Sequence, residues 1–298
     1  MKNLILAAVT ALLLSVNAGA QQPAGLSTAP VALSAAACEC SGCIAVYGDS
    51  RSNHDIHAKI AALMQARRPL TVLHTGDMVS SGRSKKDWEK FKEITKGLRE
   101  GASFYAVMGN HEKGGEKTFG ELFRFPGNGR WYRADVHGVR FFMLDFLSPL
   151  EKGSEQYKWL EAGLASPAGA DKFTVIVVHK PLMSSGAHRN EKWRAAADFE
   201  ALIRKYRVAL VLAGHEHNYE RLEKDGIVYI VTGGGGAPLY PLGSKNQYSR
   251  AFSEASHYCL LSLCGGVLKG EVFDISDTLI DSFEIAAGKA GTEEGVKK

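Results

Sequence analysis

Short apolar runs recur along this chain, and each breaks abruptly into polar residues. Ile44-Ala45-Val46-Tyr47 gives way to Gly48-Asp49-Ser50-Arg51, and Leu70 to His74 leads into Gly76-Asp77. Phe104 to Met108 runs into Gly109-Asn110-His111-Glu112, Phe173 to Val178 into His179-Lys180-Pro181, and Val208 to Ala213 into Gly214-His215-Glu216-His217. Runs this short and this rich in β-branched residues predict buried strands. Between them the apolar period changes to that of a helix. Ile56, Ile60, Leu63 and Met64 share one face, with Ser52 as the predicted N-cap and Asp55 three residues on. A second helix is predicted from Ser84 to Arg99, with Trp88, Phe91, Thr95 and Leu98 on one side and Gly101 as its stop. Ser154 should cap a helix bearing Tyr157, Leu160 and Leu164, and another helix is predicted from Asn190 to Tyr206. Gly114 to Arg130 reads as loop with a short helix, and Trp131 to Phe146 as a hairpin turning at His137-Gly138. After Glu220 the pattern is strands only: Gly226 to Thr232, His257 to Cys264, Val267 to Phe273 and Thr278 to Ile285. A strand–helix alternation followed by strands predicts an α/β fold, with sheets packed together and helices outside.

The termini read differently. Lys2, the apolar run Leu4 to Val16 and Ala18-Gly19-Ala20 form a secretory signal pattern over residues 1–20, with cleavage near Ala20. That run is too short to span a membrane comfortably. Residues 21–42 are rich in Ala, Pro and Ser and read as a flexible linker. One folded domain is expected over 43–285, followed by a mobile tail at 286–298.

Composition narrows the picture only slightly. With 298 residues and 45% apolar content, the chain can bury a substantial core. A net charge of +4 carries no nucleic-acid-binding signal. The five cysteines suit one or two disulfides plus a spare thiol in an exported protein.

Candidate chemistry collects at the strand ends. Asp49, Asp77, Asn110, His179, His215 and His217 each follow a predicted strand closely. In open α/β sheets, sites form beyond the carboxyl ends of strands, so these scattered residues are expected to converge. Carboxylate, amide oxygen and imidazole together suit manganese, iron or zinc. A pair of such cations needs a bridging anion, for which Asp77 is the central carboxylate. The pair would clamp a phosphoryl group and generate a hydroxide nucleophile near neutral pH. His111, beside Asn110, is placed to protonate the leaving-group oxygen or to stabilise charge in the transition state. Taken singly, a Gly-Asp pair after a strand is an ordinary turn. The conjunction carries the reading.

These motifs resemble those of the calcineurin-like metallophosphoesterases, and within them the purple-acid-phosphatase-like branch. The family pattern runs Asp-x-His, Gly-Asp, Gly-Asn-His-Asp/Glu, a later histidine, then Gly-His-x-His. The chain matches all but the first part, at Gly76-Asp77, Gly109-Asn110-His111-Glu112, His179 and Gly214-His215-Glu216-His217. The extension Asn218-Tyr219-Glu220-Arg221 is similar to the purple acid phosphatase version. The resemblance implies a four-layer α/β/β/α sandwich, two central mixed β-sheets flanked by helices. It also implies two divalent or mixed-valence metal ions. Asp49, Asp77 and His217 would hold the first, and Asp77, Asn110, His179 and His215 the second, with His111 as the catalytic group.

The departure is Asp49-Ser50-Arg51, where the family has Asp-x-His. Arginine stays protonated and cannot ligate a cation. Purple acid phosphatases supply a tyrosine three residues after the second aspartate, but Ser80 stands there. Of the nearby candidates His54 and His57, His57, three residues before Ile60 and near the inward edge of the helix, is the preferred replacement ligand, and Arg51 is expected to bind substrate phosphate or to pair with a metal-ligand carboxylate. His188, in a loop with Ser184, Ser185 and Gly186, is expected to contact substrate. The expected function is an exported phosphoesterase, monoesters favoured, acting on a small-molecule or macromolecular phosphoester. The alternatives are a phosphodiesterase on nucleotides or lipid head groups, and a non-catalytic binder of phosphate ligands with a weakened first metal site.

Overall fold

The computed structural model describes residues 41–166, 173–191 and 193–287. The predicted signal sequence, almost all of the linker and all but the first residues of the tail lie outside these. In chain order the elements are β1 (Ser41–Tyr47), α1 (His54–Ala66), β2 (Thr71–His74), α2 (Lys85–Ile94), α3 (Lys96–Gly101) and β3 (Ser103–Ala106). Then come α4 (Glu116–Phe123), β4 (Tyr132–Val136), β5 (Val139–Met143), α5 (Glu155–Ala165), β6 (Phe173–Val177), α6 (Ala196–Lys205) and β7 (Leu210–Ala213). The remainder is strand: β8 (Tyr219–Lys224), β9 (Ile227–Thr232), β10 (Ser249–Ser253), β11 (His257–Cys264), β12 (Val267–Asp274) and β13 (Leu279–Ala286).

Two mixed sheets form. One has the order β13-β12-β11-β1-β2-β3, the other β10-β8-β9-β7-β6-β5-β4. β1, β2 and β3 run parallel, as do β5, β6, β7 and β9. The inner faces meet in a core that includes Ile44, Val46 and Leu261 from the first sheet and Phe141, Val175 and Leu210 from the second. Outside the second sheet, α5 and α6 pack Leu160, Phe199 and Ile203 onto Phe142, Ile176 and Val211. Outside the first, Ile60 and Met64 of α1 and Leu98 of α3 cover Ala45, Tyr47 and Val72. Trp88, Phe91 and Phe119 of α2 and α4 close over Ala106 and Met108. This is the four-layer sandwich that the resemblance implied.

Local chemistry sets the boundaries. Ser154 caps α5 through Tyr157 N–H at 3.2 Å, as its sequence position predicts. The hairpin turns at His137 (φ 51°) and Gly138 (φ 81°), whose positive angles suit a tight two-residue turn. The helix expected over Ser84 to Arg99 is instead two. Thr95 turns its hydroxyl back to the Phe91 carbonyl at 2.7 Å, and α2 ends there. The cap of α1 is Asn53, whose side chain accepts from Ile56 N–H. Ser52 sits at φ 79°, one residue too early. The helix expected from Asn190 begins only at Ala196; ahead of it, Glu191 reaches into the site described below. β8 and β10 were not expected as strands. Cys259 is a buried thiol, and Cys264 is disulfide-bonded.

Candidate metal centre

The carboxyl ends of β1, β2 and β3 in one sheet and of β6 and β7 in the other open onto a common crevice. Three of the residues there hold left-handed backbone: Asp49 (φ 54°), Asp77 (φ 57°) and His215 (φ 69°). Such angles cost a non-glycine residue about 1 kcal/mol or more, and strain of this kind clusters at functional sites. The turns also leave no room for side chains. A Cβ on Gly109 would collide with Asp77 Oδ1, and Gly76, at φ +101°, lies against Gly109 and the His179 ring.

On one side of the crevice, Asn110 Oδ1 lies 3.1 Å from His179 Nε2 and 3.0 Å from His215 Nδ1. His179 Nε2 is 3.5 Å from Asp77 Oδ1. The opposite ring nitrogens fix the tautomers. His179 Nδ1 donates to the Thr75 carbonyl at 2.9 Å, and His215 Nε2 donates to Glu191 Oε2 at 3.1 Å. Burial lowers His179 below the ordinary histidine value and pushes His215 down to about 4, so both rings are neutral at pH 7. Each neutral ring therefore turns a lone pair, not a proton, toward the Asn110 oxygen, and that of His179 also faces Asp77. Acceptors converging without a proton among them are what a cation stabilises. This donor set fits manganese, iron or zinc.

On the other side, Asp49, Asp77 and His217 bring ligand atoms within 4.8 Å of one another. His217 Nδ1 donates to the Pro238 carbonyl at 2.6 Å, so its Nε2 lone pair faces inward, 3.6 Å from Asp49 Oδ1. Burial pushes this ring down to about 4 as well. Asp49 Oδ2 accepts from His215 N–H at 2.9 Å, but Oδ1 is buried with no hydrogen-bond partner. An orphaned carboxylate oxygen in the interior costs free energy unless a proton or cation meets it. Burial and the neighbouring Asp77 hold Asp49 well above the usual carboxylate range. Asp77 is the ionised partner. Burial works against it, yet His179, the His111 N–H and Arg51 keep it below its ordinary value.

Arg51 reaches into the Asp49 cluster. Its Nε donates to Asp77 Oδ2 at 3.4 Å and its Nη2 to His217 Nε2 at 3.4 Å. Asp77 thus faces both sides, with Oδ1 toward His179 and Oδ2 toward Arg51. Of the two alternatives for Arg51, the carboxylate pairing is the one seen in the structure.

His111 stands at the mouth. Its Nδ1 donates to the Ser80 carbonyl at 2.8 Å and its Nε2 lies 3.8 Å from Asp77 Oδ2, with 28% of the side chain exposed. The serine at the family's tyrosine position therefore contributes a backbone oxygen that orients His111. His188 lines the outer wall, 4.6 Å from the His215 ring and 5.0 Å from that of Tyr240.

His57 is not in the crevice. It is on the inward face of α1, as its spacing suggested, but inward there means under the first sheet. Its Nε2 lies 3.2 Å from Tyr47 Oη, and its ring packs on Phe91. The expectation that it replaces the missing first-motif ligand is corrected accordingly.

Other residues matter that sequence alone did not single out. Glu112, fully buried, accepts N–H donors from Asp77, Met78, Val79 and Gly109, which ties two ligand-bearing turns together. Burial and Asp77 push its carboxyl up to about 8, against those donors. His74 accepts from Gly76 N–H through Nδ1 and lies 3.0 Å from Ser50 Oγ, joining the Asp49 and Asp77 turns from below. Glu191 pairs with Lys180 at 2.7 Å as well as with His215. Glu216 and Glu220 accept from Ser184, Ser185 and His188 and so hold the loop that follows β6. The Gly-Glu spacing of Gly109 and Glu112 was a signal for the first of these; the others depend on long-range contacts.

The sequence pattern of the calcineurin-like phosphoesterase family matches residues 44–219. Probable purple acid phosphatase 20 of Arabidopsis thaliana is 32% identical over 213 residues, 61% of this chain and 49% of that protein. Probable inactive purple acid phosphatase 27 of the same plant is 26% identical over 257 residues, 70% of this chain and 40% of that one. The chain spans about half the length, or less, of these relatives. Among solved structures, a purple acid phosphatase from yellow lupin (Lupinus luteus) seeds superposes with a TM-score of 0.74 at 20% identity, covering 86% of this chain and 57% of that one. The anchor protein of the Plasmodium inner membrane complex gives 0.67 at 19% identity, covering 84% and 90%.

Proposed function

Since the chain belongs to the calcineurin-like phosphoesterase family, we propose that it is a metal-dependent phosphoesterase of the purple-acid-phosphatase-like branch, with phosphomonoesters as favoured substrates. The observation that carries the proposal is the convergence of unprotonated His179 and His215 nitrogens on Asn110, with His179 also facing Asp77. When bound there, metal supplies a Lewis-acid clamp on the phosphoryl group and an acidified water. Asp77, Asn110, His179 and His215 would hold one ion; Asp49, Asp77 and His217 would hold another more weakly, because Arg51 shares their donor atoms.

The chain's own residues do the rest. His111, whose Nδ1–H is held by the Ser80 carbonyl, presents Nε2 to the mouth, where in its imidazolium form it gives the Nε2 proton to the leaving-group oxygen and is left neutral. Arg51 offers a fork-shaped donor to phosphate oxygens, which favours a dianionic monoester over a monoanionic diester. His188 borders the same opening. No helix among the described residues is long and apolar enough to cross a membrane. Export through the signal pattern of residues 1–20 agrees with a disulfide at Cys264, since disulfides persist in oxidising compartments.

A non-catalytic phosphate binder is the second reading. Arg51 in the first metal cluster favours it, as does a relative named as probably inactive. His111 at the mouth speaks for catalysis, because a binder does not need it. The deciding experiment loads the protein with manganese, zinc or iron and assays p-nitrophenyl phosphate against bis-p-nitrophenyl phosphate. Metal-dependent turnover, faster on the monoester, is expected. Tight phosphate binding with no turnover of either ester would contradict the enzyme reading.

A further inference from the structure

Arg51 is chemically out of place beside metal ligands. A guanidinium keeps its proton at any physiological pH and never ligates a cation. Yet its Nε lies 3.4 Å from Asp77 Oδ2, and its Nη2 lies 3.4 Å from His217 Nε2. The tautomer of His217 sharpens the point. Because Nδ1 donates to Pro238, Nε2 holds the only lone pair of the ring, and Arg51 is bonded to it. A metal shared by Asp77 and His217 needs the same two atoms. The guanidinium and the cation therefore exclude one another.

The guanidinium does not fill the cluster. Asp49 Oδ1 keeps no hydrogen-bond partner, so that oxygen is left for a proton or a cation to meet. Nor is Arg51 locked in. Both inward contacts are long for charge-assisted hydrogen bonds, and 16% of the side chain is exposed. On its outer edge Nη1 donates to the exposed Ser52 hydroxyl at 3.3 Å, and the half-buried Tyr240 hydroxyl is a further side-chain partner of the guanidinium. A phosphate oxyanion at the mouth would offer that outer edge a stronger, bidentate partner.

We propose that Arg51 is an exchangeable occupant of the first metal position: it competes with a cation for Asp77 and His217, and a phosphate group, by drawing the guanidinium outward, opens the position to metal. This rests on the metal-centre reading above and adds its regulation. Linkage makes the effect reciprocal, so phosphate strengthens the first metal and that metal strengthens phosphate by the same factor. Direct metal–phosphate contact would also couple the two ligands, and Arg51 separates the contributions. Removing the side chain should tighten the first metal when phosphate is absent and leave phosphate with less to add.

Calorimetric titration of manganese into the chelator-treated full chain, with and without inorganic phosphate, tests this without any assay of turnover. The native protein should bind one equivalent tightly and a second weakly, and phosphate should strengthen the second by roughly tenfold or more, within the usual range of couplings. Arg51→Ala should bind both tightly, with a smaller phosphate effect. The native titration alone tests the proposal should the variant fold poorly. Two equally tight equivalents in the native protein, indifferent to phosphate, would overturn it and leave the metal-centre reading standing. A phosphate effect of equal size in Arg51→Ala would assign the coupling to direct contact and likewise overturn it. No metal bound to either protein would overturn both readings.

Discussion

The two halves of the crevice share Asp77 and differ in almost everything else. On the side of Asn110, every ligand candidate has an outer partner that orients it: Thr75 for His179, Glu191 for His215, and Glu112 for the turns carrying Asp77 and Asn110. On the side of Asp49, one carboxylate oxygen is orphaned and the imidazole lone pair is held by Arg51. The Asn110 half is arranged to receive a cation at once, whereas the Asp49 half must first release one. A two-metal plan can thus be kept in its ligands and altered in its affinities by one residue among them.

The largest effect should come from the shared residue. Asp77→Asn should strip metal from both halves and lower turnover by roughly 10⁴-fold or more, since metal-based charge stabilisation is worth several kcal/mol. Metal analysis beside kinetics checks it, and an active variant would break the comparison by removing its pivot. His111→Ala should leave metal content unchanged in both halves yet slow turnover by about 10²- to 10⁴-fold. Loss of metal would show that it is a ligand.

Glu191→Gln tests only the Asn110 side. Losing the carboxylate that fixes the His215 tautomer should weaken the tight metal by roughly 10- to 100-fold, as changes behind a metal ligand commonly do, without touching the weak one. Manganese titration would show which affinity moves.

The smallest effect concerns His57, which belongs to neither half. Burial pushes its pKa down to about 3, below the unfolded value near 6.5. Its neutral form favours the folded state, so this contribution is complete above pH 6.5 and is lost as pH falls toward 3. By pH 5 the loss is about 2 kcal/mol. Denaturation of metal-free protein at pH 7 and pH 5 should show a drop smaller by that amount in His57→Gln, with metal affinity at pH 7 unchanged.

The legible and illegible parts of the sequence divide along a physical line. Strand ends were readable because Val208 to Ala213, like the other apolar runs, stops where the chain leaves the core. The sequence therefore put Asp49, Asp77, Asn110, His179, His215 and His217 at one rim, where the structure brings them together. The four-layer plan came from the family resemblance, and the superposed folds agree with it. His57 misled because helical period tells which face is buried but not what it is buried against. Asn190 and Glu191, ahead of α6, were read as helix because what holds Glu191, Lys180 and His215, lies well away from it along the chain. β8 was hidden by Glu220 and Arg221, charged residues that the structure satisfies with Ser185 and Asp281. Glu191 gave no local signal, since its meaning lies in reaching His215 across the crevice.

The central claim is that the crevice is a metal centre whose Asn110 side is the stronger. An anomalous-scattering map from crystals grown with limiting manganese tests it most directly. The predicted result is a dominant peak between Asp77, Asn110, His179 and His215, with a weaker one beside Asp49 and His217. A dominant peak beside Asp49, or one seated outside His215 between His188 and Glu191, would contradict it.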